Sequence, residues 1–318
     1  MKSTAMAHPI QGLIKYHGLR DEGLRLPFHD SISVCTGPLH TRTTVEFGHP
    51  RDSMVVDGQE VNERERERIL AVVDPLRELA GGDGFRMVSR NSFQSNIGLG
   101  ASASGFAALA VATASALGLD MDLEEISRYA RRGAGSAARA VTGGFSRWFA
   151  GQGDEDSFSR RIPSPTEEEM GILVAIIPAR KFTDTAHRDV LTSPFFKARL
   201  EYVEHALEEM QTAITRGDLR EVGELAERDT LLLHGITMTG SAGLILWRPE
   251  TLSVILEVKR LAEEGVECHF SIDTGATVYI NTTRDSIPQV RERIGSLGMD
   301  TLTCGVGGEA RLVDDHLF

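Results

Sequence analysis

The stretch from Asn91 to Ala110 reads Asn-Ser-Phe-Gln-Ser-Asn-Ile-Gly-Leu-Gly-Ala-Ser-Ala-Ser-Gly-Phe-Ala-Ala-Leu-Ala. It runs a polar, glycine-rich loop straight into a helix of almost entirely small residues. Gly98 and Gly100 can take positive φ and let backbone come close to a ligand. The first amides of the following helix are unpaired donors at the positive end of its dipole. Together they can cradle phosphate, with Ser102 and Ser104 adding hydroxyls for phosphate oxygens or Mg²⁺. A tightly packed helix with close neighbours leaves the same pattern, so the loop alone supports both readings. It is not a P-loop, because no Gly-Lys-Ser or Gly-Lys-Thr follows the glycines. It is not a dinucleotide fingerprint, because no Gly-x-Gly-x-x-Gly stands with an acid about 20 residues on. A nucleotide site here belongs to another fold.

The chain has 318 residues, enough for two sizeable domains or one large one. Its hydrophobic content of 41% and charged content of 25% are those of a globular protein in water. A net charge of −12 argues against nucleic-acid or membrane-surface binding driven by bulk charge. An anionic substrate must then be met by a local cluster of Lys and Arg. Cys35, Cys268 and Cys304 lack metal-ligand spacing and read as free thiols in a reducing compartment. No apolar run reaches the ~18 residues of a membrane span, and the first residues lack the apolar core of a signal peptide. The expected location is the cytoplasm.

Short β-rich runs at Ser31–Cys35 and Thr43–Phe47 flank a turn at Gly37-Pro38. Val61 to Leu79 reads as a helix ended by Gly81-Gly82, and Phe85–Arg90 as a strand entering the glycine loop. Ser102 to Leu117 reads as a helix closed by Gly118. Asp122 and Glu125 form a capping box for the next helix. Gly135-Ser136 opens another loop-to-helix junction. The solvated stretch 163–169 precedes a buried strand at Leu173-Val-Ala-Ile-Ile, which sets domains of 1–172 and 173–318. Ser193-Pro194 opens a long helix with apolar positions from Phe196 to Ile214, ended by Gly217. Helices at about 218–234 and 250–264 follow, then a strand–turn–strand hairpin over Cys268–Asn281.

Several side chains could carry chemistry. Asp273 follows an apolar strand and precedes Thr274-Gly275; it reads as a base or hydroxyl acceptor, or as a turn residue bonding its own backbone. Lys15 in an apolar run reads as an anion ligand or an edge-strand gatekeeper. Arg139, one turn inside a helix, reads as a carboxylate or phosphate clamp or as a surface charge. Arg131 and Arg132 read as surface charges. His8 and His17 flank Lys15 and could line a pocket; His187, His205 and His234 read as surface or packing residues. The alternating Glu/Arg run from Asn62 to Arg68 reads as a solvated helix face.

Taken in order, these pieces resemble the GHMP kinase superfamily, and within it the mevalonate diphosphate decarboxylase branch. The likeness runs over nearly the whole chain: Lys15-Tyr-His-Gly-Leu-Arg-Asp, Leu26-Pro, Ser31-Ile-Ser-Val, the glycine loop, Arg131 to Phe145, Phe196-Lys-Ala-Arg, Asp273-Thr-Gly-Ala and Gly305-Val-Gly-Gly-Glu-Ala. It implies an α+β, two-lobed GHMP kinase fold with a ribosomal S5 domain 2-like N-terminal lobe. The C-terminal lobe would be ferredoxin-like α/β, with the active site in the cleft between lobes. It implies ATP, Mg²⁺ and a homodimer. By resemblance, Asn96, Gly98, Leu99, Gly100, Ala101, Ser102 and Ser104 hold the ATP phosphates, with Ser102 nearest the transferred group and the metal. Arg139 and Ser136 bind substrate, Arg139 at its carboxylate. Lys15 and Tyr16 meet its carboxylate or phosphate end, and Asp273 faces a tertiary 3-hydroxyl.

Departures from the branch's pattern bear on the substrate. Its first loop serine is Ala101, its Ser-Gly-Ser is Ala134-Gly135-Ser136, and an Asn in its first strand is Ile10. Its Ser-Ser loop is Lys181-Phe-Thr-Asp-Thr-Ala-His, with Asp184 in place of a phosphate-contacting serine and Thr185 beside it. Fewer hydroxyls and an added negative charge favour a substrate with one phosphate. The pattern is similar to phosphomevalonate decarboxylases, which turn mevalonate 5-phosphate into isopentenyl phosphate. The alternatives are mevalonate 5-diphosphate decarboxylation, 3-phosphorylation without decarboxylation, and a non-catalytic GHMP-fold binding protein. The related 3-kinases lack counterparts of Lys15 and Asp273, and a degenerate binder would be expected to lose the acid.

Overall fold

The continuous apolar run Met170–Ala175 is buried on both faces of its strand, which fixes what surrounds it. Ile172 and Val174 point into one cluster with the helices Phe196–Arg216 and Leu219–Met238. Leu173 and Ala175 point the other way, against Pro249–Glu263 and Ile287–Gly295. The strand therefore lies inside a sheet with helices on both sides. The computed structural model describes residues 1–94, 98–179 and 183–318.

That sheet runs in the order Ser159–Ile162, Phe145–Trp148, Ser31–Gly37, Thr301–Val306, Met170–Ala175, Val278–Thr283, Cys268–Ser271, with Ile10–Ile14 also paired to Ser31–Gly37. Its pairs are antiparallel. The second sheet has the order Arg311–Leu312, Lys2–Ala7, Thr41–His49, Gly84–Asn91, Ser53–Val56, Gln59–Glu60. One parallel pair, Ser53–Val56 with Gly84–Asn91, is joined by the crossover helix Glu63–Ala80. The two β-rich runs flanking Gly37-Pro38 thus enter different sheets.

The small-residue helix, Ala101–Leu117, buries eleven of its side chains beside the strands Lys2–Ala7 and Thr41–His49 and the helices Glu63–Ala80, Leu123–Gly133 and Ala137–Thr142. Alanine lets these backbones approach closely, at the density of a protein interior. Helix ends follow the local chemistry. Asp122 and Glu125 cap reciprocally, and Gly81, Gly118 and Gly217 close helices in the left-handed region. The long helix begins later than Ser193-Pro194 suggests, at Phe196 with Phe195 as its N-cap, and Ser193 Oγ accepts from Phe195 N in the turn before it.

The N-terminal and C-terminal halves are stitched by backbone. Gly305 and Val306 register with Gly37 and Thr36, and Gly307 N donates to Cys35 O at 2.9 Å. Gly144 N donates to Gly307 O at 2.8 Å, and Ala310 N to Val141 O at 2.9 Å. All three cysteines are buried and free, as expected. No helix is long and apolar enough to cross a membrane among the described residues.

Two surface assignments need correction. Arg131 is fully buried, donating to Leu24 O and to Asp154, which also binds Arg132. A loop acid distant in sequence supplies the pairing that makes this burial tolerable. The Asn62–Arg68 run is not wholly a solvated face either: Asn62, Arg64, Glu65 and Arg68 line a cavity.

Candidate active site

The glycine loop, the end of the first-lobe strand Ile10–Ile14, the Gly135-Ser136 junction and the Asp273 turn surround one cavity of about 450 Å³. Gly98 (φ 90°) presses on Thr277, where an added Cβ would lie 3.0 Å from the Thr277 Cβ. The Tyr279 hydroxyl donates to Gly98 O at 3.0 Å, fastening the loop to the second-lobe sheet. Gly100 (φ 71°) is the N-cap of Ala101–Leu117 and offers no side chain to its amides. The helix start is thus left for a ligand to satisfy, and Ser102 stands exposed on the cavity wall.

Asp273 is held from the first lobe: its Oδ1 accepts from Gly12 N at 3.1 Å. Gly12 is required here, because a Cβ would fall 2.7 Å from Lys15 Cγ and 2.9 Å from Asp273 Oδ1. Burial raises the Asp273 carboxyl above its ordinary value, against the pull of Lys15, the Gly12 amide and Arg139. Lys15 is 4% exposed. Its Nζ donates to Thr230 Oγ1 at 3.0 Å and lies 3.8 Å from Asp229 Oδ2. Asp229 also accepts from Lys15 N at 3.0 Å and from Arg199 at 2.6 Å, and Arg199 donates to Lys15 O. Burial lowers the Lys15 ammonium, offset by Asp229 and Asp273.

Arg139 is 3% exposed, and its Nε and one terminal nitrogen have no hydrogen-bond partner. Its guanidinium lies over the rings of Tyr16 at 5.5 Å and Trp148 at 5.8 Å. A buried cation with idle donors is complete only with an anion in the cavity. Gly135 is tight against the Tyr16 hydroxyl, where a Cβ would come to 2.3 Å. Tyr16 stacks on His187 at 5.1 Å and meets the edge of Trp148 at 4.8 Å.

Of the residues expected from sequence, Lys15, Tyr16, Gly98, Gly100, Ser102, Ser136, Arg139, Thr185 and Asp273 line this cavity. Ser104 does not; it is buried and bonded to Thr41 Oγ1 at 2.6 Å. Leu99 is buried in a core cluster and Ala101 is not on the wall. Asn96 and the side chain of Asp184 lie outside the described residues. Sequence reasoning missed the guanidiniums of Arg25, Arg64 and Arg68. Arg64 and Arg68 sit one turn apart, and that spacing was the available signal. His234, read as a surface or packing residue, is a packing residue: it is buried against the Trp247 ring at 5.0 Å and donates through Nε2 to Ile272 O. Among the described residues, five cationic side chains (Lys15, Arg25, Arg64, Arg68, Arg139) line the cavity against two carboxylates, Glu65 and Asp273. In a chain of net charge −12 this is the local positive cluster that an anionic substrate requires.

Comparison with known proteins agrees with this geometry. Residues 7–159 match the model of the diphosphomevalonate decarboxylase-like N-terminal domain. Phosphomevalonate decarboxylase of Haloferax volcanii is 50% identical over 99% of this chain and 98% of its own. Mevalonate diphosphate decarboxylase from Staphylococcus aureus superposes with a TM-score of 0.93 at 28% identity, covering 98% of each chain. The structure of MDDEF in complex with MVAPP, AMPPCP and magnesium superposes with a TM-score of 0.92 at 29% identity, covering 99% of each. The fold is thus the two-lobed α+β GHMP fold, and the chain belongs to the family of diphosphomevalonate decarboxylase-like enzymes.

Proposed function

We propose that the chain catalyses ATP-dependent decarboxylation of mevalonate 5-phosphate to isopentenyl phosphate, CO₂, ADP and phosphate, by way of 3-phosphorylation. The observation that carries the reading is the meeting of Asp273, Lys15 and Arg139 with the glycine loop around one cavity. Choice of the monophosphate is supported by the 50% identity to a phosphomevalonate decarboxylase and by Ala134 in place of a hydroxyl.

A tertiary alcohol is a poor leaving group, so the 3-hydroxyl oxygen attacks the terminal phosphorus of ATP and ADP departs. Asp273 accepts the hydrogen bond, and then the proton, of that hydroxyl. The C3–O bond then breaks, its electron pair leaving with a phosphate that takes the proton back from Asp273, and positive charge grows at C3 beside the restored Asp273 carboxylate. The C1–C2 pair becomes the double bond and CO₂ leaves. Arg139, with its idle donors, grips the carboxylate in the orientation this fragmentation needs. Lys15, fixed by Asp229 and Thr230, keeps positive potential beside Asp273 and the incoming phosphoryl group. The uncapped helix start and the close-packed Gly98 and Gly100 suit a triphosphate. Magnesium would arrive on phosphate oxygens and supply charge neutralisation, with the Ser102 hydroxyl at hand; among the described residues no group of three His, Cys, Asp or Glu could hold it alone. A homodimer, implied by the resemblance, and a cytoplasmic location and lobes of 1–172 and 173–318, read from the sequence itself, complete the proposal.

Incubation with Mg·ATP and either mevalonate 5-phosphate or the 5-diphosphate, with CO₂ trapped, tests this. Faster CO₂ release from the monophosphate is expected. Release mainly from the diphosphate overturns the substrate, and phosphorylation without CO₂ overturns the reaction.

A further inference from the structure

The strand Ile10–Ile14 pairs along one edge with Ser31–Gly37, and among the described residues its other edge has no strand beside it. Backbone groups on an open, buried edge need partners. Gly12 finds both of its partners in one three-residue segment. Gly12 N donates to Asp273 Oδ1 at 3.1 Å, and Gly12 O accepts from Ser271 Oγ at 3.0 Å. Two side chains thus do for Gly12 what a neighbouring strand would do with its backbone. The next residue back is pinned to the same sheet: Gln11 Nε2 donates to Asn281 Oδ1 at 2.9 Å, with both amides buried. Between Ser271 and Asp273, Ile272 is tied to the helix Leu219–Met238, its N–H donating to Thr230 Oγ1 at 3.3 Å. Ser271 is fully buried and does not line the cavity, so it touches no reactant, and the mechanism above gives it no part.

We propose that Ser271 is a positioning residue for the reaction: by gripping Gly12 O it keeps Gly12 N on Asp273 and that carboxylate aimed into the cavity. The catalytic consequence rests on the decarboxylase reading above; the contact itself does not. A hydrogen bond to a carboxylate favours its charged form. The Gly12 amide acts on Asp273 in this sense, together with Lys15 and Arg139, against burial and the charge of Asp229. Two further titratable groups stand beside Asp273. Burial holds His234 neutral, down at about 3, and raises the Tyr279 phenol well above its ordinary value. Neither changes charge near neutral pH, so a slackened Gly12 contact is read directly as a rise in the pH at which Asp273 titrates.

The test is a series at one position graded by donor strength: Ser271→Thr keeps a hydroxyl, Ser271→Cys keeps a weak S–H donor, and Ser271→Ala keeps none. The Asp273 titration is followed by NMR in protein isotope-labelled at the aspartate carboxyl carbon, its signal being the one missing from Asp273→Asn. Asp273 should titrate at higher pH in Ser271→Ala than in the unmodified enzyme, with Ser271→Cys between them and Ser271→Thr close to the unmodified value. With Mg·ATP and mevalonate 5-phosphate, kcat should fall about 10- to 100-fold in Ser271→Ala, the effect of a displaced reacting group. KM for either substrate should stay within about threefold, and Ser271→Thr should recover most of the rate. If Ser271→Ala does not fold, Ser271→Cys against Ser271→Thr decides alone. A titration identical across the series overturns the proposal. So does an unchanged kcat in the variants whose titration moves, or a loss in Ser271→Thr as deep as in Ser271→Ala. If the unmodified enzyme releases no CO₂ from either mevalonate phosphate, the reaction reading fails separately, and the titration series still decides the contact.

Discussion

Lys15 and Arg139 are equally buried cations on one cavity, yet the protein treats them oppositely. Lys15 sits in a closed network in which Asp229, Thr230 and Arg199 fill its needs. Arg139 has two nitrogens without partners and aromatic rings for neighbours. The first is a charge set in place before any reactant arrives; the second is unfinished until one does. Preorganised charge lowers the barrier because it needs no rearrangement during the reaction. Unfinished charge gives affinity and orientation. In the proposed mechanism this contrast fits the Lys15–Asp273 side to chemistry and the Arg139–Tyr16 side to grip.

The sharpest break would come at Asp273. Asp273→Asn should reduce turnover by about 10³-fold or more while ATP binding by calorimetry stays within about threefold. Turnover that survives removes Asp273 from the mechanism and with it the assignment of this side to chemistry. Next in size is a stability contrast. Asp229→Ala strips the partner from two buried cations and should cost about 3–5 kcal/mol, read as a melting temperature lower by several degrees. Arg139→Met exchanges an unsatisfied buried cation for a fitting apolar chain, so its melting temperature should hold or rise even as activity falls. Equal losses in the two variants would show that Arg139 is as tightly netted as Lys15. The smallest effect is on pH. In the proposed mechanism catalysis needs the Asp273 carboxylate, whose raised pKa places the acid limb of kcat/KM above that of an ordinary aspartate. Lys15 pulls that pKa down, so Lys15→Met should move the limb to higher pH. A limb that stays put or moves to lower pH breaks the electrostatic link.

Local signals carried the elements well, because caps and glycine stops act within one turn. Asp122 with Glu125 and Gly118 after Leu117 needed no tertiary information. The cavity wall was readable where a motif is contiguous or nearly so, as at Lys15-Tyr16, at Gly98, Gly100 and Ser102, and at Asp273. Ser104 was misjudged because its facing depends on helix rotation: two residues past Ser102 it points to Thr41 rather than to the cavity. Arg131 was misjudged because its partner, Asp154, is 23 residues away on a loop. Arg25 and Arg68 stayed hidden for the same reason. One lies in a short hairpin and the other in a run of alternating charges, and only folding brings them to one wall.

The ladder that joins Ser31–Gly37 to Thr301–Val306, with the Gly307 and Ala310 amides beside it, has a mechanical consequence. A clamshell motion of the halves would have to unzip those bonds. Separation of the halves at this seam is therefore resisted by backbone hydrogen bonds and not by side chains alone.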